Sequence, residues 1–237
     1  MGKREEAKRR KSNQKKSSNL TVILIIAAFA LVAVGMIILT TSKQNKPEAT
    51  PSNATPIEVV VPNKPMAKQR DGLSMGDPNA KVKVIEFADF QCPACASYWS
   101  QLEPTLIEQY IDTGKVYFTY NSFSFLGQGQ AWDESKKAAE AAYCANDQGM
   151  FWEYHDVIFA NHNGENLGAY SKERLIAFAE KLELDMNAFK SCLNSGKYTQ
   201  AVEDANTFAS SQGASYTPSF LIDGTIVNAN ELMQAIE

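Results

Sequence analysis

The chain has 237 residues, 44% hydrophobic, 10% aromatic and 21% charged, with four cysteines: one domain or two small ones, and not collagen, coiled coil, bulk disorder or a disulfide-dense miniature scaffold. Its net charge of −4 is uneven, because residues 1–19 hold eight Lys/Arg against two Glu and leave −10 on the rest. An acidic body argues against a nucleic-acid partner, whose phosphates need clustered basic side chains.

Leu20 to Thr40 is 21 residues without a charge, nearly continuous in Val, Ile, Leu, Ala and Phe. At 1.5 Å rise, about 20 residues cross a hydrocarbon core about 30 Å thick, so residues 20–40 are predicted to be a single N-terminal transmembrane anchor. The basic residues 1–19 would stay cytoplasmic and everything after Thr40 would lie outside the cytoplasm. A cleaved signal peptide has a shorter apolar region and a small-x-small site, which Ile37-Ile38-Leu39-Thr40 does not offer. A buried core helix would show a polar face.

Residues 41–72 contain five of the nine prolines among Lys, Asn, Thr and Gln, the composition of a semi-extended spacer, with Ile57–Val61 as a short strand within it. The folded unit is expected over 73–237. Lys81–Asp89 alternates and then runs apolar, which predicts a strand. A helix follows from about Pro93 to Asp112, with Pro93 at its start and a kink at Pro104, and Lys115–Asn121 is a second strand. Such a strand-helix-strand unit is normally parallel. Residues 128–212 read as helical throughout, with Ser171 and Asp185 as N-caps. Ser219–Ile222 and Thr225–Val227 flank Asp223-Gly224, a hairpin signal, and Asn230–Glu237 closes the chain as a helix. The order predicts one mixed sheet with a helical insertion at about 128–212.

The chemistry lies in Cys92-Pro93-Ala94-Cys95, placed where a strand passes into a helix. A helix N-terminus offers free N–H groups and the positive end of the macrodipole, which stabilise a thiolate. The second cysteine, one turn on, can attack a mixed disulfide formed by the first, so Cys92 is the exchanging sulfur and Cys95 the resolver. A zinc site would want two more close ligands, which Cys144, Cys192, His155 and His162 do not supply by spacing, and a purely structural bridge is the other reading. No metal is expected, and no cofactor, since the disulfide itself carries two electrons.

The segment Glu86-Phe-Ala-Asp-Phe-Gln-Cys-Pro-Ala-Cys95, the helical insertion and Tyr216-Thr-Pro-Ser-Phe220 resemble the DsbA family of thiol:disulfide oxidoreductases, over about residues 73–237. Tyr143-Cys144 to His155-Asp156 resembles its membrane-anchored or secreted bacterial members. The resemblance implies an α/β thioredoxin fold with a helical insertion, here preceded by a transmembrane helix. It also implies a cis-proline at Pro218 that frees the Thr217 backbone for an extended substrate, where the plain alternative is a proline starting an edge strand. It further implies a buried acid at Glu86 able to relay a proton to Cys95, the alternative being a solvent-facing carboxylate. Cys144 and Cys192 match a structural bridge in relatives; two buried free thiols are the alternative. Asp89 reads as ordinary rim charge, and Trp152, Tyr154, His155 and Phe159 as core. Ala94 stands where the best-known member has histidine, so the couple should be less oxidising than that member's.

The implied activity is exchange of the Cys92–Cys95 disulfide with protein or peptide thiols outside the cytoplasm, as an oxidase reoxidised by a membrane redox partner. A reductase or isomerase uses the same chemistry in another direction. A non-catalytic peptide-binding module built around Pro218 is the reading of a different class.

Overall fold

The described residues, 57–237 of a computed structural model, build a six-stranded mixed sheet from β1 (Arg70–Asp71), β2 (Ser74–Met75), β3 (Val82–Ala88), β4 (Val116–Ser122), β5 (Ser219–Ile222) and β6 (Thr225–Asn228), in the order β1-β2-β4-β3-β5-β6. The basic tail, the predicted transmembrane span and the start of the spacer lie outside the described residues. Among the described residues no helix is long and apolar enough to cross a membrane. β3 runs parallel to β4, as the crossover requires, and antiparallel to β5, with Glu86 beside Tyr120 on one side and Phe220 on the other. β5 and β6 form the predicted hairpin. Asp223 and Gly224 both adopt positive φ, 47° and 79°, the backbone that a two-residue turn matched to strand twist demands.

Between β3 and β4 run α1 (Pro93–Gln101), α2 (Glu103–Leu106) and a π-helical turn at Ile107–Ile111. The break falls at Leu102, because Pro104 has no N–H to donate back into α1. The insertion comprises α3 (Glu134–Asn146), α4 (Phe151–Ala160), α5 (Lys172–Lys181), α6 (Met186–Ser195) and α7 (Thr199–Ser211), and α8 (Leu232–Ile236) closes the chain. Ser171 and Asp185 cap α5 and α6 through their side chains. The insertion is not helical throughout: residues 161–171 form a loop, whose Gly168 and Tyr170 N–H groups donate to the buried Glu134 carboxylate, each at 2.9 Å. Cys144 on α3 is bonded to Cys192 on α6. Tyr120, Phe90, Phe151, His155 and Phe159 pack ring against ring where sheet and insertion meet, and the aromatics of α4 are buried in the core as expected.

The folded unit starts earlier than Leu73. Residues 57–72, expected as spacer, lie along the domain. No strand forms at Ile57–Val61; instead the Val60 backbone exchanges two hydrogen bonds with the Asn161 side chain, at 3.0 and 2.8 Å. Ala67 is buried, the Lys68 N–H donates to Asp112, and Arg70–Asp71 adds a strand to the sheet. The prolines keep this arm extended, and its polar side chains find partners far along the chain.

Candidate active site

Cys92 is the N-cap of α1. Its backbone is extended (φ −74°, ψ 119°), Pro93 occupies the first helical position, and its Sγ accepts the Cys95 N–H at 3.4 Å. Both cysteines are unbonded, with Cys92 7% exposed and Cys95 fully buried. The Thr217–Pro218 peptide bond is cis, and the Thr217 carbonyl oxygen lies 3.3 Å from Cys92 Sγ, an acceptor for the protonated thiol. Strand-to-helix turn and proline loop, 125 residues apart in sequence, therefore meet at one sulfur.

The two thiols are held in opposite states. The Cys95 thiol, then Thr217 and the backbone N–H groups of Cys95 and Ala94, lower the Cys92 pKa to about 6 against the pull of partial burial. Burial, then the neighbouring Cys92 sulfur and Glu86, push Cys95 well above the ordinary thiol range. One sulfur is available as thiolate near neutral pH and the other keeps its proton.

Glu86 is 1% exposed, and its Oε2 has no hydrogen-bond partner among the described residues. Burial, reinforced by the nearby Glu103 carboxylate, drives its pKa well above the carboxylate range, while Lys64 pulls the other way. Glu103 is itself buried and ion-paired to Lys64, a residue of the arm, whose Nζ also lies 3.6 Å from Asp156 and 5.2 Å from the centre of the Trp99 ring. Asp156 in turn accepts from Trp99 Nε1 at 2.7 Å and faces His155 Nδ1 at 3.0 Å. The sequence reading missed Lys64 and Glu103, and a lone lysine in a proline-rich stretch carries no signal that would have flagged it.

Asp89 is not a rim charge. It is fully buried, and its carboxylate accepts the N–H groups of Gln91 (2.9 Å), Phe125 (2.9 Å) and Leu126 (3.0 Å), joining the turn before Cys92 to the loop after β4. Desolvation raises its pKa in spite of these bonds. His155 and His162 do not face the sulfurs through any hydrogen bond: His155 packs among aromatics, and His162 Nε2 meets the Gln91 carbonyl at 2.8 Å. Among the described residues no cluster of three His, Cys, Asp or Glu side chains is placed to hold a metal ion.

This arrangement agrees with what comparison with known proteins finds. A family model described as thioredoxin matches residues 68–237. The "Probable disulfide bond formation protein D" of Bacillus anthracis is 33% identical over 168 residues, 69% of this chain and 76% of its own; its namesake in Bacillus cereus is 33% identical over 157 residues, 65% and 71%. The crystal structure of oxidised BdbD from Bacillus subtilis superposes with a TM-score of 0.62 at 22% identity, covering 73% of this chain and 97% of that one. With one cysteine capping a helix start, a second buried one turn on and a cis-proline loop against them, the chain belongs to the thioredoxin family, among its DsbA-like protein-disulfide oxidoreductases.

Proposed function

We propose that the chain is an extracytoplasmic protein-thiol oxidase, held at a membrane by residues 20–40, whose oxidant is the Cys92–Cys95 disulfide. The observation that carries this reading is the placement of Cys92 as the N-cap of α1 against the cis Thr217–Pro218 bond with Cys95 fully buried behind it, surroundings that lower one sulfur to about 6 and raise the other. A substrate thiolate attacks Cys92 Sγ of the disulfide. The new S–S bond forms, the Cys92–Cys95 bond breaks, and Cys95 leaves with the electron pair. Its buried sulfur then takes a proton, which the protonated carboxyl of Glu86, lodged in the same interior, donates. A second substrate thiolate attacks the mixed disulfide and releases Cys92 as a thiolate, a good leaving group at its lowered pKa. The substrate departs oxidised and the enzyme is left as a dithiol. Two electrons then pass to a membrane redox partner, and no other cofactor is required. Thr217 and Pro218 stand against Cys92, and an extended substrate segment would lie along them.

The names of the Bacillus relatives support the direction of oxidation. One feature favours a second reading as reductase or isomerase: Ala94, exposed at the turn, brings no cation to the thiolate, which favours a less oxidising couple than the histidine-bearing member's. The equilibrium potential of the Cys92–Cys95 pair against glutathione, with alkylation of the pair in cells, decides between them. A pair found mainly oxidised in cells supports the oxidase; a mainly reduced pair overturns it. Changing Cys92 to Ser tests the peptide-binding module, which would keep binding peptide and show no exchange in the unmodified protein either. Protease accessibility of the domain in intact and permeabilised cells tests its location.

A further inference from the structure

Gln91 immediately precedes the reactive cysteine and is nevertheless fully buried. A buried amide is tolerated only when its bonds are satisfied, and this one is fully engaged by the insertion. Its Nε2 donates to Ser135 Oγ on α3 at 2.9 Å, and its Oε1 accepts the Asn166 N–H at 2.5 Å. Its backbone carbonyl meets His162 Nε2 at 2.8 Å. The Asn166 side chain continues the chain of contacts, donating to the Leu126 carbonyl at 3.1 Å. Tyr170 completes the anchoring, its hydroxyl donating to the Phe90 carbonyl at 2.9 Å. The 161–171 loop is thus fastened to the turn that presents Cys92, although the two segments are about 75 residues apart.

What this fastening presents is apolar. Leu167, the residue after Asn166, is 66% exposed, the most exposed of the large hydrophobic side chains described, and Tyr216, the residue before Thr217, is 42% exposed. A single exposed leucine needs no explanation. Leu167 follows a residue bonded to the Gln91 side chain, and Tyr216 precedes the residue whose carbonyl meets Cys92 Sγ, so two exposed apolar side chains are tied through the backbone to the two segments that meet at the sulfur. Unfolded chains carry apolar side chains near their cysteines, and folded ones hide them.

We propose that Leu167 is a specificity-determining contact for an apolar side chain flanking the substrate cysteine, and that Gln91 is the positioning residue that holds the Leu167 loop against the Cys92 turn. This rests on the reading of the chain as an enzyme of protein thiols.

The test uses the full-length protein and two cysteine peptides, one flanked by leucines and one by lysines, with exchange followed in both redox directions. The unmodified protein is expected to favour the leucine peptide by about tenfold in kcat/KM, what one partly buried leucine side chain contributes. L167E should bring the ratio to one or reverse it, through KM. An unchanged ratio in L167E overturns the contact. Q91L should lose the preference with Leu167 still in place, and Q91E, which keeps the acceptor of the Asn166 N–H, should restore part of it; a ratio in Q91L equal to that of the unmodified protein overturns the positioning role. L167E alters only an exposed side chain, so it stays informative if Q91L does not fold. Failure of the unmodified protein to exchange with either peptide would overturn the enzymatic reading itself, a result distinct from exchange without preference.

Discussion

Cys92 Sγ and the carbonyl oxygen of Thr217 stand 3.3 Å apart, so the proposed exchanging sulfur and the cis-proline loop are two faces of one position. Reactivity at Cys92 is therefore set locally, and it can be titrated.

Alkylation of the reduced protein should follow a single ionisation with a midpoint at about pH 6, the value to which Cys92 is lowered. The Cys95 thiol is the largest cause, so the midpoint should move up in C95A. Iodoacetamide rates against pH give both numbers; an unmoved midpoint in C95A would refute the cause named here. A thiol lowered on folding stabilises the reduced protein above the ordinary thiol pKa, and that contribution is lost as pH falls through about 6.

Glu86 works the other way. Burial raises its folded pKa, so at pH values where the unfolded carboxylate has already lost its proton folding must either hold that proton or bury a charge, which costs stability, while below the unfolded carboxylate pKa both states carry the proton and the effect vanishes. E86Q should therefore raise Tm at pH 7–8, by about 2–4 °C for each kcal/mol relieved in a domain of this size, with no gain near pH 4. The same variant should slow turnover by up to about 100-fold, the low end for a lost proton donor or acceptor. Scanning calorimetry at the two pH values and steady-state exchange rates check the pair of effects. A variant that is both no more stable and equally fast would remove Glu86 from the mechanism.

The Lys64–Glu103 pair is buried on both sides, at 9% and 1% side-chain exposure. Removing one partner leaves a buried charge uncompensated, at a cost of about 3–5 kcal/mol, whereas replacing both with apolar residues of similar size is often neutral. K64M should destabilise by that amount and K64M/E103M should recover most of it. Urea denaturation at pH 7 measures the cycle. Equal losses in the single and double variants would mean that the arm contributes by packing alone.

Cys144 and Cys192 close a loop with a sequence separation of 48. The chain-entropy treatment assigns such a cross-link about 4 kcal/mol. C144A/C192A should lower stability by that order without moving the Cys92 alkylation midpoint, since neither residue contributes to it. A thermal unfolding curve and the alkylation assay run on the same preparation would show it.

The sequence revealed what is local and periodic. The strand that delivers Cys92, the proline that opens α1, the caps at Ser171 and Asp185 and the Asp223-Gly224 turn are each written in a few neighbouring residues, and each lies where expected. What escaped is non-local. Asp89 looks like a surface acid at a strand end, and only its two bonds to backbone N–H groups 36 and 37 residues on make it an internal fastener. Lys64 sits in a composition that signals a free spacer, yet its partners are 39 and 92 residues away. Gln91 reads as one polar residue before a cysteine until Asn166 and Ser135 are seen around it. Spacing and propensity do not encode such pairings, because a polar side chain's environment is decided by which distant segment folds against it.

The sheet ends in stubs: two residues at β1 on one side, four at β6 on the other, the latter followed at once by a turn in which Asn228 binds the N–H groups of Asn230 and Glu231. Short borders give an extended foreign polypeptide little ladder to copy. An enzyme of protein thiols that met extended chains would thereby be spared from templating their aggregation.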